Sequence, residues 1–92
     1  LQCTHADQRA SESLEEAKRH PKLALRRVLQ HWGLGVPEFE SWQDHRGGWK
    51  SFQDLPEFGI RGFGGPRRTK ADAEREASWT IIQQLQDWIL WR

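Results

Sequence analysis

With 92 residues, 36% of them apolar, the chain has material for one small domain with a single core. No apolar run approaches the roughly 18 residues of a membrane span, and Cys3, the only cysteine, excludes an internal disulfide. The net charge of +1 is silent about partners. The chain opens at Leu1 with no leader pattern, as expected of a piece of a longer protein. A disulfide-free domain fits an intracellular setting, cytoplasm or nucleus.

Residues 1–10 are polar and unpatterned, which predicts a frayed end. Ser13 and Glu16 have capping-box spacing, so "SLEEAKR" predicts a short extra helix with Leu14 and Ala17 on its apolar side. Residues 1–19 are therefore read as an extension and residues 20–92 as the domain. Pro21 restarts a helix at its first-turn position. Leu25, Val28, Leu29 and Trp32 follow at i, i+3, i+4, i+7, one apolar stripe, with Lys22, Arg26 and Gln30 opposite. "GLGVP" ends that helix.

Three short strands are expected next. "EFESWQ" alternates; "DHRGGW" is a turn in which Gly47 and Gly48 supply positive φ; "KSFQDL" and "EFGIRGFG" are the second and third strands, interrupted at Pro56. From about Thr69 to Trp91 the stripe Ala73, Ala77, Ile81, Leu85, Trp88 predicts the longest helix, its small residues early to allow close approach to a sheet. The order α-β-β-β-α, with a possible leading helix, predicts an α+β sandwich: a three-stranded antiparallel sheet with two helices on one face.

Charge is unevenly spread. Lys22, Arg26 and Arg27 occupy residues 20–32 with no acid, and Arg61, Arg67, Arg68 and Lys70 do the same over residues 60–70. Residues 36–58 carry five acids against Arg46 and Lys50. Two cationic islands form one stripe if the fold brings them together; otherwise they are solvated surface.

In its order and spacings the chain resembles the double-stranded RNA-binding domain. "PKLALRRVLQHWGLGVPEF" supplies Pro21, Leu25, Gly33, Pro37 and Phe39 at family-like intervals; Phe52 matches the aromatic opening the second strand. "TKADAEREAS" keeps the frame of the last helix through Thr69, Lys70, Ala73, Ala77 and Ser78. The resemblance spans about residues 21–85 and implies a non-sequence-specific double-stranded RNA-binding module of a larger RNA-processing or helicase-like protein. It implies that the first helix and the first strand–strand loop enter successive minor grooves while the start of the last helix meets phosphates.

On that correspondence the first helix offers Lys22, Arg26 and Arg27, the last two where the family often has Gln and Glu. The loop offers His45, Arg46, Trp49 and Lys50, with "RGGW" replacing Gly-Pro-x-His in a loop about one residue shorter. Trp49 near the His slot either donates its indole N–H or plugs the sheet edge. The family's three lysines fall on Lys70, Ala71 and Glu74, so one cation survives and one is reversed. Arg67, Arg68 and Thr69 complete the expected phosphate contacts, unless Asp72, Glu74 and Glu76 only complement the helix dipole.

No enzyme is expected. His5, His20, His31 and His45 have no metal-ligand spacing, "GFGG" lacks the rest of a nucleotide loop, and Asp44–His45 lacks a nucleophile, so no metal, cofactor or small-molecule ligand is implied. The alternative function is protein contact or homodimerisation by the same fold. "QDWILWR" extends the last helix, and Trp88 and Trp91 need either cover from the leading helix or an external partner.

Overall fold

The computed structural model describes the backbone of residues 15–90 and the side chains of residues 15–85. Residues 15–19 are helical. Helix α1 (Pro21–His31) follows, then β1 (Phe39–Gln43), β2 (Trp49–Leu55), a 3-10 turn (Pro56–Phe58), β3 (Ile60–Arg67) and the long helix α2 (Lys70–Leu90). The expected capping box at Ser13, the apolar Leu14 and the tail side chains Trp88 and Trp91 lie outside the described residues.

Helix α1 begins with proline at its first position, where the missing N–H costs nothing. It ends where Gly33 takes φ +71° and the Leu34 amide donates to the Leu29 carbonyl at 2.8 Å. Leu25 and Leu29 are buried as the stripe predicts. Val28 is half-buried, and Trp32 stays exposed, its ring 5.1 Å from that of Phe58.

The sheet is antiparallel with β2 in the centre; Phe39, Ser41 and Gln43 pair with Gln53, Ser51 and Trp49. On the far side Gly62 and Gly64 pair with Gln53 and Ser51. Burial alternates along β2 and β3, so Ser51, Gln53, Leu55, Ile60, Gly62 and Gly64 form the covered face. Helix α2 lies on it through Ala73, Ala77 and Ile81, while α1 packs on α2 through Leu25 and Leu29 beside Ile81, Ile82 and Leu85. A Cβ on Gly64 would collide with the Ala73 carbonyl, and one on Gly62 with the Ala77 carbonyl. The alanines and glycines together let helix and strand approach that closely.

The predicted third strand over residues 57–64 is displaced to Ile60–Arg67. Pro56 starts a 3-10 turn instead, and Gly64, Gly65 and Pro66 remain in the strand. Proline is tolerated there because β3 is an edge strand. That edge is sealed by α2. The Phe63 amide donates to Thr80 Oγ1 at 3.2 Å, the Gly65 amide to Glu76 Oε1 at 3.3 Å, and Gln84 Nε2 donates to the Arg61 carbonyl at 2.7 Å. Residues 76, 80 and 84 recur every fourth position, one stripe of a helix.

The core also holds polar groups, all satisfied. Ser78 Oγ donates to Gln53 Oε1 at 3.1 Å, Gln53 Nε2 donates to the Pro37 carbonyl at 2.8 Å, and Ser41 and Ser51 share a 2.9 Å hydroxyl bond. Among the described residues no buried side-chain N or O lacks a partner. Nor is any helix long and apolar enough to cross a membrane.

Candidate nucleic-acid interface

The β1–β2 turn is organised by one carboxylate. Asp44 Oδ1 accepts from the Gly48 amide at 2.8 Å and from the Arg46 amide at 3.0 Å, while the Asp44 amide donates to the Gly48 carbonyl. The Gly48 amide, then that of Arg46 and the charges of Lys50 and His45, hold the Asp44 carboxyl below its ordinary value. Gly47 takes the positive φ (+85°) that the turn requires, but Gly48 does not. Gly48 is required for room: a Cβ there would stand 2.8 Å from Pro66 Cβ. The turn therefore closes against the end of β3, and His45 and Arg46 project from it, exposed.

That closure brings two chain-distant segments together. Arg46 lines a shallow depression of about 340 Å³ with Gly47, Gly48, Pro66, Arg67 and Arg68. Arg67 ends β3 and Lys70 opens α2, so the depression adjoins the N-terminus of the long helix. Thr69 caps that helix, its Oγ1 accepting from the Asp72 amide at 3.1 Å. Its hydroxyl thus serves the helix itself.

The acids that follow Lys70 each have a cation of their own. Glu76 pairs with Arg67, Asp72 with Arg75, and Glu74 with Lys22, whose Nζ is 3.0 Å from Glu74 Oε1. Lys22 Nζ also stands 5.2 Å over the Phe39 ring, holding α1 to the sheet start. Arg68 and Lys70 are exposed with no ion pair among the described residues. The carboxylates therefore orient cations rather than line the depression.

Of the two cationic islands, Lys22 meets the second through Glu74, one helical turn from Lys70. Arg26 and Arg27 lie further along α1, exposed, Arg27 Nη1 being 3.8 Å from Glu16 Oε1. Arg61 leaves the group altogether: it faces Asp54 at 3.8 Å, at the far end of the sheet from the β1–β2 turn. Trp49, half-buried, occupies the last rung of the central strand between Gln43 and Arg67, at an end of the sheet and not a lateral edge. Lys50 stands opposite Trp42 on the sheet face that neither α1 nor α2 covers.

Sequence reasoning misses Lys18 and Arg19. They share a groove of about 330 Å³ with Pro21, Arg67, Asp72, Arg75, Glu76 and Trp79, so the helical residues 15–19 bring their cations to the α2 start, beside its first acids. The available signal was the basic end of "SLEEAKR". Among the described residues no three His, Cys, Asp or Glu side chains converge as metal ligands do. No protein-family model, curated protein or solved structure matches this chain.

Proposed function

We propose that the domain binds double-stranded RNA without reading its sequence, gripping phosphates at the end of the sheet where the β1–β2 turn meets the start of α2. The observation that carries this reading is the convergence of Arg46, Arg67 and Arg68 on one depression beside Lys70, with Asp72 and Glu74 paired away from it and Glu76 engaging Arg67 from outside its lining. Cations there reinforce the positive end of the long helix, and an anion at that point meets both. The exposed Arg26 on α1 and His45 in the turn supply the two outlying contacts that a shallow minor groove needs. The α-β-β-β-α architecture with helices on one face agrees with the resemblance from which the proposal starts.

The deciding experiment titrates duplex RNA and duplex DNA of the same length by fluorescence anisotropy at low and moderate salt. Groove-width and 2′-hydroxyl readout requires tighter binding to the RNA duplex at moderate salt. Equal affinity for the two would reduce the interaction to cationic adhesion and end the proposal. The competing reading, protein contact through Trp88 and Trp91, falls on side chains outside the described residues.

A further inference from the structure

Both helices cover one face of the sheet, and among the described residues nothing covers the opposite face. On it Trp42 and Phe63 are 45% and 59% exposed, and Phe63 leans on Phe52 with ring centroids 4.9 Å apart. The register joins them into one patch: Phe52 is the cross-strand partner of both Glu40 and Phe63, and Trp42 is that of Lys50. Large exposed aromatics clustered in this way mark a contact surface.

Charge on this face is polarised along the strands. Glu40 and Asp54 stand toward the start of β1, with Arg61 beside Asp54; Lys50 stands toward the turn. Asp44 is the acid nearest that basic end, and its Oδ1 is turned inward onto the turn amides. A polarised face is complementary to its own copy once the strand direction is reversed, which is the arrangement a two-fold axis produces. We propose that two copies of this chain associate face to face through the open sheet, the aromatics of Trp42, Phe52 and Phe63 at the centre and Glu40 of each copy facing Lys50 of the other.

Two competing modes of contact are disfavoured. A single-stranded nucleic acid stacking on the rings would run its phosphates past Glu40 and Asp54. Strand addition at β3 is blocked because Glu76, Thr80 and Gln84 already bond its outer edge. The size of the patch also sets the strength. At about half exposure each large aromatic offers on the order of 100 Å², so the interface belongs with the small, transient ones below about 1,200 Å². The dimer is weak and reversible.

Sedimentation equilibrium of the whole chain without RNA, over a hundredfold range of concentration, tests this independently of any RNA binding. The expected result is a monomer–dimer equilibrium loosened at least tenfold by Phe63→Glu and by Trp42→Glu. Glu40→Lys and Lys50→Glu should each loosen it, and the double variant should restore it, because exchanging both charges keeps a two-fold interface complementary. These positions lie on the open face, and circular dichroism melts of each variant check that it is folded. A chain that stays monomeric throughout overturns the proposal. So does association that survives both Phe63→Glu and Trp42→Glu, or a double variant no better than the singles. Binding of a single-stranded oligoribonucleotide that Phe63→Ala abolishes in a monomeric protein would assign the face to nucleic acid instead.

Discussion

Reversing the charge at Glu74 separates the fold's interest in that residue from the interface's. Glu74 holds Lys22 at 3.0 Å; the acid is 16% exposed and the lysine 42%. With one partner that open to water, the pair contributes about 1 kcal/mol rather than the full Coulomb energy. Glu74→Gln removes that contribution. Glu74→Lys removes it and adds repulsion of about 1 kcal/mol between two ammonium groups near contact in water, for a total near 2 kcal/mol. The corresponding fall in melting temperature is roughly 8–16 °C for a domain of this size. RNA binding should move the other way. Glu74→Gln frees Lys22 beside Lys70, and Glu74→Lys adds a second cation, so the log–log salt slope should steepen by about one and by up to about two. Anisotropy titrations with duplex RNA across a salt series, run well below the melting point, measure this. Variants that lose stability as described but keep the wild-type slope would show that the start of α2 does not face the duplex.

Arg68→Ala should weaken binding to any duplex by a similar factor and flatten the salt slope by about one; an unchanged slope in the same titration removes its phosphate role. Asp44 has a folded-state pKa below its unfolded 3.8, so as pH falls the unfolded chain takes up the proton first. The stabilisation of the turn is therefore full above 3.8 and lost as pH drops through the lower folded value. Asp44→Asn should abolish that acid-side loss in melting curves, and a steepness shared by both proteins would contradict it. Gly64→Ala forces a Cβ onto the Ala73 carbonyl, backbone that no rotamer can clear, and should cost about 2–3 kcal/mol. Gly35→Ala meets nothing within 4 Å and serves as the thermal-denaturation control.

The parts of this protein readable in its sequence are those governed by neighbours a few residues away. Pro21, the Leu25–Leu29 stripe, Gly33 and the Ala73–Ala77–Ile81–Leu85 stripe follow from helix period and backbone punctuation, and each lies where that local chemistry predicts. The third strand misreads for the same reason. Gly64, Gly65 and Pro66 are breakers by local rules, and only their edge position beside a close-packed helix keeps them in β3. Acidic residues after Lys70 suggest a spoiled anion site; Asp72 meets Arg75 one turn along the same helix, but which cations Glu74 and Glu76 meet is a tertiary question. Lys22 and Glu74 are 52 residues apart, and Arg67 meets Glu76 only because α2 runs back along the edge of β3. Hydrophobic period and turn chemistry act through the chain's own torsions and so can be read along it. Charge pairing, the sealed edge and the bare aromatic face depend on distances through space, which exist only once the helices have chosen one side of the sheet.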